Sequence, residues 1–165
     1  GRVVGAARGR SMRYPKRLIL CPGNTRKVGW SKTCRQSIVQ SISAQASQTS
    51  AYAEVGYSRR QAPPDYTLDH YRVRLGHGSD TFERARLAIR QWKMFDMPWI
   101  TLCWPDTPIE PQATVAVLVS HLGFWSMNAA RSVYVIQDGG RTEKYGFASG
   151  TLAEHGEKGE ERLTV

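Results

Sequence analysis

The densest group of titratable side chains lies near the C-terminal end of the sequence and comprises Glu154, His155, Glu157, Glu160 and Glu161. A histidine beside a carboxylate can act as a general base, because the carboxylate fixes the tautomer of the imidazole. The same residues are also typical of a solvated turn, and no nucleophile stands near them in the sequence. The pattern favours the turn, and we predict no catalytic residue here.

Several polar and aromatic side chains could line a binding pocket, because they lie in or beside apolar segments. A position in the core is the competing interpretation for each aromatic residue, since aromatic side chains are chiefly packing residues. We also expect Glu160 or Glu161 to pair with Arg131 across a sheet. The candidate ligand-binding residues are Asn128, Arg131, Tyr134, Tyr145, His155, Glu160 and Glu161.

The histidines and cysteines show none of the short spacings that hold a metal ion. The three cysteines, Cys21, Cys34 and Cys103, are an odd number without C-x-x-C spacing, which indicates reduced thiols. The sequence contains no G-x-S-x-G motif, and Gly76-His77-Gly78 lacks the lysine and the spacing of a phosphate-binding loop. We therefore expect neither a metal nor a cofactor, and the balance is against an enzyme.

The periodicity of the apolar residues predicts one long helix among several strands. Phe82, Ile89 and Trp92 recur at helical spacing over residues 80–95, with Asp80 as the expected N-cap. Alternating or β-branched segments predict strands at residues 66–75, 99–104, 114–119, 132–137, 142–152 and 160–165. One helix followed by a run of strands indicates an α+β domain whose antiparallel sheet is covered by the helix.

Short motifs within residues 50–165 carry a resemblance to a known family. In order they are Tyr52-Ala-Glu-Val-Gly56, Tyr71-Arg-Val-Arg-Leu-Gly76, Phe82-Glu-Arg-Ala85, Trp92-Lys-Met-Phe95, Val115-Ala-Val-Leu-Val119, Val133-Tyr-Val135, Tyr145-Gly-Phe147, Gly150-Thr-Leu152, His155 and Gly159-Glu-Glu-Arg162. The series resembles uncharacterised protein family 0548, a family of plants and bacteria with no established activity. The resemblance implies a helix-grip fold, the architecture of START and Bet v 1 relatives, in which a sheet grips a long helix around a lipid cavity.

The family pattern continues past the last of these motifs with further strand and a C-terminal helix, whereas this sequence stops at Val165. We therefore expect a helix-grip-like domain at residues 51–165 that lacks the C-terminal helix and has one apolar sheet face in need of cover. A neighbouring subunit, a helix at residues 31–50 or a C-terminal continuation could supply that cover. The helix is the weakest of these candidates, because its apolar stripe of Ile38, Val39, Ile42 and Ala46 is narrow.

The positive charge is concentrated in the first third of the chain. Residues 1–60 carry 12 Lys and Arg side chains against the single acidic residue Glu54, whereas residues 61–165 have a net charge of −2. A basic arm at residues 1–50 fits three interpretations: an organelle-targeting segment, an arm that lies on an anionic surface such as RNA or a membrane, or a solvated tail. The candidate contact residues of the arm are Arg8, Arg10, Arg13, Lys16, Arg17, Arg26, Lys27, Lys32 and Arg35.

These observations predict a non-catalytic binding or scaffold module that its basic arm docks, as an accessory subunit, into a larger organellar assembly. The alternatives are a carrier of a small apolar ligand in a helix-grip cavity and an enzyme that uses the region of His155 and Glu160. The acid-poor, Arg-rich and Ser-rich start is typical of an organelle-targeting segment. We expect a plastid rather than a mitochondrion as the compartment, and otherwise the cytoplasm. The longest apolar stretch, residues 113–136, contains Ser, His, Asn and Arg and does not predict a membrane span.

Overall fold

The computed structural model describes residues 6–9, 18–19, 32–60, 63–64, 66–121 and 124–165 of the 165-residue chain. Two α-helices lie within these ranges, α1 at Lys32–Ala46 and α2 at Ser79–Arg90. The strands are β1 Ala6–Gly9, β2 Leu18–Ile19, β3 Tyr66–Asp69, β4 Ile100–Leu102, β5 Thr114–His121, β6 Phe124–Asp138, β7 Lys144–Thr151 and β8 Gly159–Thr164. The fold is α+β, as the sequence predicts.

The strands form an antiparallel sheet in the order β3-β1-β8-β7-β6-β5-β4, and β2 pairs with β6 beside this path. Five of the strands, from β4 at one edge to β8, form a meander in which strands consecutive in sequence are neighbours in space. Register aligns Val117 with Asn128 between β5 and β6, and Ser149 with Glu161 between β7 and β8. The meander therefore places the polar residues Asn128, Ser149 and Glu161 on three neighbouring strands, β6, β7 and β8.

Helix α2 covers one face of the sheet, as the apolar stripe predicts. Ile89 and Trp92 are buried against Val115 and Phe147, and the Trp92 ring meets the Phe147 ring edge-on at 5.2 Å between centroids. The predicted helix at 80–95 is shorter in the structure, because Trp92 adopts a left-handed φ of 55° and a 3₁₀ turn follows at Lys93–Phe95. This turn carries Phe95 over the sheet.

Helix α1 covers the opposite face. Ile38 is buried and Ile42 is half-buried against Ala116, Leu118, Met127 and other residues of that face. The prediction that this helix is the weakest candidate for the cover is wrong, because its contact stripe also contains the buried polar residues Ser41 and Gln45, which an apolar pattern does not register.

Two local predictions differ from the structure. Asp80 is not the N-cap of α2: Gly78 is, at φ 85°, and it forms no side-chain capping bond. The strand predicted at residues 66–75 ends at Asp69, and residues 70–76 have no regular structure although their side chains alternate. Alternation of apolar and polar residues is therefore compatible with a strand, but it does not show that a neighbouring strand is present to pair with.

Candidate functional site: the Glu160 network and the His155 pocket

A buried carboxylate, Glu160 of β8, lies at the centre of a hydrogen-bond network although its side chain is only 2% exposed. Its Oε2 accepts hydrogen bonds from the Tyr52 hydroxyl at 2.9 Å and from the Gly56 amide at 2.7 Å. Its Oε1 accepts from the Ser58 amide at 3.2 Å and from the Ser58 hydroxyl. Four donors therefore stabilise one buried carboxylate, and within the described residues no Lys or Arg side chain pairs with it.

The local backbone at residues 52–58 aims these donors at Glu160. Gly56 has a left-handed φ of 90°, and the 3₁₀ turn Tyr57–Arg59 follows it directly. Gly150 of β7 lies beside Tyr52, and a Cβ atom on Gly150 would overlap the Tyr52 hydroxyl. Both glycines are therefore needed for the network, one for its backbone angle and the other for the space it leaves.

Two tyrosines of the network remain protonated over a wide pH range. Burial raises the pKa of Tyr52 far above its ordinary value, and the negative charge of Glu160 raises it further. Burial likewise raises the pKa of Tyr57 to about 12, with the charge of Glu160 adding to the effect. The Tyr57 hydroxyl accepts a hydrogen bond of 2.8 Å from the Glu160 amide. At neutral pH both phenols are therefore neutral.

A pocket of about 110 Å³, which we call the His155 pocket, lies on the sheet face that α2 partly covers. Phe95, Val115, Val117 and Ala130 form its apolar wall. The other lining residues are Asn128, Ser149, Thr151, His155, Glu157, Lys158, Gly159, Glu160 and Glu161. The pocket therefore combines an apolar wall with several polar groups, an arrangement typical of binding sites.

His155, which lines this pocket, is a neutral imidazole, and its hydrogen bond determines which ring nitrogen carries the proton. Burial lowers the pKa of His155 below 6.5, although the nearby Glu157 opposes the shift. The Nδ1 atom of His155 accepts a hydrogen bond of 3.0 Å from the Glu157 amide. Because Nδ1 accepts, Nε2 carries the proton, so His155 can donate a hydrogen bond but has no free basic nitrogen.

Four of the seven predicted ligand-binding residues meet in the His155 pocket: Asn128, His155, Glu160 and Glu161. The Asn128 side chain is oriented by two bonds, since its Oδ1 accepts from the Gly156 amide at 3.5 Å and its Nδ2 donates to Ser126 Oγ at 3.3 Å. Tyr145 lies instead in the core beneath α2, and Tyr134 is hydrogen-bonded to Ser58 at 2.6 Å between their hydroxyl oxygens.

Arg131 does not pair with Glu160, so that part of the prediction is wrong. Its guanidinium donates to the Ala46 carbonyl at 2.8 Å and to the Gln45 carbonyl at 3.4 Å. These are carbonyls at the C-terminal end of α1, where a helix lacks internal donors and favours positive charge. Arg131 therefore caps α1 and fastens it to the sheet, while neutral donors satisfy Glu160.

Sequence reasoning missed the donors of the Glu160 network, Tyr52, Gly56 and Ser58. Tyr52 and Gly56 are the two ends of the first motif quoted above, and Glu160 lies in the last one. The signal was therefore present in the motifs, but the partners are 102 to 108 positions apart and no local pattern joins them.

Most predictions about the arm lie outside the described residues. The side chains of Arg8, Lys32 and Arg35 are not described, nor are residues 10, 13, 16, 17, 26 and 27. In the described ranges, no helix is long and apolar enough to cross a membrane. The same part of the chain contains no group of three or more His, Cys, Asp or Glu side chains placed to hold a metal ion.

Sequence comparison finds relatives over part of the chain. The family described as a domain of unknown function, DUF1990, matches residues 51–165. A UPF0548 protein of Dictyostelium discoideum is 38% identical over 104 residues, covering 61% of this chain and 48% of that protein. A UPF0548 protein of Deinococcus radiodurans is 35% identical over 130 residues, covering 72% and 64%. One from Arabidopsis thaliana is 31% identical over 104 residues, covering 61% and 50%. The matches thus span about half to two thirds of these relatives, and no solved structure matches the chain.

Proposed function

The chain belongs to the DUF1990 family, which its motifs predict, and from that premise we propose that it is a non-catalytic module that binds a partner protein. The His155 pocket receives one side chain of that partner. The observation that carries the proposal is the size of this pocket together with its lining of apolar wall and oriented polar groups.

The volume of the pocket supports a side chain over a larger ligand. Small-molecule sites usually have volumes of about 300–1,000 Å³, whereas the His155 pocket has about 110 Å³. A dry cavity of about 150 Å³ accommodates benzene, so this pocket matches a single side chain in scale. A lipid carrier needs far more room, which argues against that alternative.

The hydrogen bonds of the pocket support binding over catalysis. A general base needs a free nitrogen within reach of a substrate proton, and the acceptor nitrogen of His155 is already bonded to the Glu157 amide. Glu160 is likewise committed to four donors. Asn128 and the Nε2–H group of His155 serve instead to orient a bound polar group.

An exposed apolar surface close to the pocket supports a protein as the partner. Met97 and Trp99 are 36% and 53% exposed, and they follow the pocket residue Phe95 by two and four positions. Four residues of chain span at most about 14 Å, so both side chains lie near the pocket. Tryptophan is enriched among the residues that contribute most to protein interfaces. The partner's backbone can therefore cross this surface while one of its side chains enters the pocket.

The helix-grip arrangement belongs to the same proposal. The meander β4 to β8 and the packing of α2 on one face support it, because a helix-grip fold places its binding cavity between a helix and the sheet. The docking of the module into an organellar assembly, with a plastid as the compartment, rests on the acid-free composition of residues 1–50.

A site-specific crosslinking experiment in native cells tests the proposal. The photoreactive amino acid benzoylphenylalanine replaces Phe95 in the full chain, and in a matched control it replaces the exposed hairpin residue Arg141. We expect the Phe95 position to crosslink one protein, with mass spectrometry mapping the adduct to a single segment of it. The variant Ala130→Leu, which places a larger side chain in the pocket, should abolish that adduct while its unfolding temperature confirms folding.

Three outcomes would contradict the proposal. The adduct could be absent, it could appear equally at position 141, or it could persist in the folded Ala130→Leu variant. A small molecule crosslinked at position 95 in place of a protein would support the carrier alternative. Fluorescent fusions of the full chain test the compartment separately, one unaltered and one with Arg10, Arg13, Lys16, Arg17, Arg26 and Lys27 replaced by glutamine, which keeps α1 in place. A targeting or docking arm predicts that only the unaltered fusion accumulates in the organelle.

A further inference from the structure

A second cavity, which we call the Arg59 groove, lies beside the Glu160 network and has a volume of about 550 Å³. Among the residues that the structure describes, none lines both this groove and the His155 pocket. Its volume falls within the range of about 300–1,000 Å³ that is usual for small-molecule sites. The groove therefore has room for a small organic molecule and is separate from the site of the proposed protein partner.

One side of the Arg59 groove is positively charged. Arg59 and Arg60 both line the groove, and both are exposed. Across the described residues, neither guanidinium forms an ion pair or a side-chain hydrogen bond. Of the lining residues that the structure describes, Glu54 is the single acidic one against two arginines, so this described lining has a net positive charge. Such a surface favours an anion, and guanidinium groups bind phosphate through paired hydrogen bonds.

The floor of the groove is aromatic and held in place. Tyr57 and Tyr134 are both buried, and each is bonded to the Glu160 network through its hydroxyl. The guanidinium of Arg59 lies over the Tyr134 ring, 3.8 Å from its centroid. Nucleobases stack on arginine planes, so the outer face of the exposed Arg59 guanidinium, supported from below by the Tyr134 ring, is a platform for a flat ligand.

The remaining wall of the groove is apolar. Val55 lies in the lining with 52% of its surface exposed to solvent. Val133 and Pro63, which also line the groove, are half-buried. A ligand that covers these side chains removes apolar surface from water, which stabilises the complex. The groove thus offers three distinct features to one ligand: a cationic side, a stacking platform and an apolar wall.

We propose that the Arg59 groove binds a nucleoside monophosphate. The phosphate group accepts hydrogen bonds from the N–H edges of Arg59 and Arg60, while the base lies on the outer face of the Arg59 guanidinium, against Val55. A free mononucleotide fits the volume of the groove, whereas a polynucleotide would extend well beyond it. This inference is tested separately from the proposed protein partner, because the described residues that would contact the ligand differ from those that line the His155 pocket.

Calorimetric titration of the full chain tests the inference with three probes: AMP, adenosine and ribose 5-phosphate. We expect AMP to bind at least about tenfold more tightly than either fragment, because only AMP engages both the cationic side and the platform. Its affinity should fall as the salt concentration rises. If AMP does not bind, or if ribose 5-phosphate binds equally well, the inference is overturned.

Variants separate the groove from the general positive charge of the chain. Arg59→Gln combined with Arg60→Gln should weaken AMP binding by about tenfold or more, since each removes a charged donor to phosphate. Arg141→Gln, at an exposed hairpin outside the groove, should leave the affinity unchanged. Equal weakening in both variants would reduce the interaction to non-specific charge. RNA binding that depends on Arg59 in the absence of AMP binding would likewise overturn the inference.

Discussion

Replacing Glu160 by glutamine tests whether the buried carboxylate holds residues 52–58 on the sheet. Glutamine has nearly the shape of glutamate, so the substitution changes hydrogen bonding and charge with little change in packing. Each carboxylate oxygen of Glu160 accepts one backbone N–H group, from Gly56 at Oε2 and from Ser58 at Oε1. The amide group of glutamine replaces one of these oxygens by a donor.

Neither orientation of the glutamine amide can satisfy the network. A hydroxyl can rotate and accept from the new NH₂ group, so Tyr52 or Ser58 Oγ can adapt. The backbone N–H of Gly56 or Ser58 cannot, and one of them is left facing another donor. An unsatisfied buried donor costs about 1–3 kcal/mol, and the charged hydrogen bonds that are lost raise the total to about 2–4 kcal/mol.

The assay is thermal and urea unfolding of the full chain, with Glu143→Gln as the matched control. Glu143 is exposed in the β6–β7 hairpin, so the same chemical change there should have little effect on stability. For a chain of this length, about 2–4 kcal/mol corresponds to a fall of about 5–15 °C in the unfolding temperature. If Glu160→Gln and Glu143→Gln unfold within 1–2 °C (about 0.5 kcal/mol) of each other, the carboxylate does not hold the segment and the reasoning fails.

Three further predictions concern stability. Arg131→Met should lower the free energy of unfolding by about 1–2 kcal/mol in urea titrations, because the last carbonyls of α1 lose their donor; a loss no larger than that of Arg141→Met would contradict this role. Because burial lowers the native pKa of His155, the unfolded chain binds the extra proton first as the pH falls below 6.5. Urea midpoints should therefore drop more for the native chain than for His155→Asn between about pH 7.5 and 5, and parallel curves would refute this. Trp92→Ala should cost about 3–5 kcal/mol as a core truncation, against a small effect for the exposed Leu87→Ala, and similar losses for both would show that Trp92 is not a core residue.

Residue patterns predicted helix α2 and parts of strands β3 to β8, because these are encoded by neighbours in sequence. Strands β1 and β2 and the first half of β6 were not predicted. The unbroken apolar run of β5 and the stripe of Phe82, Ile89 and Trp92 require only local spacing to be read. Helix α1 was underrated because its buried face includes Ser41 and Gln45, and the side-chain Nε2 of Gln45 donates to Glu154 Oε2 at 3.1 Å. A polar residue that is buried against a partner distant in sequence is therefore predicted as exposed when only its neighbours in sequence are considered.

The sequence allowed several residues of the candidate site to be predicted, but not the hydrogen bonds that those residues form. Asn128, His155, Glu160 and Glu161 were each selected for their residue type, and pairing between adjacent strands explains why they meet. Arg131 was assigned to Glu160 or Glu161 because opposite charges attract, yet it donates to carbonyls of α1. The donors of Glu160 are neutral, so an argument from charge could not identify them.

The hydrogen bonds of Glu160 also determine when residues 52–58 can join the fold. They link β8 to a segment more than 100 positions earlier in the chain, at separations of 102, 104 and 108 residues. Contacts this far apart in sequence require closure of a long loop, which slows their formation during folding. The amides of Gly56 and Ser58 share one acceptor side chain, so release of that carboxylate exposes both to solvent at once. Their hydrogens should therefore exchange with deuterium as a pair. The exchange rate would report the local detachment of residues 52–58 from Glu160 rather than the unfolding of the whole sheet.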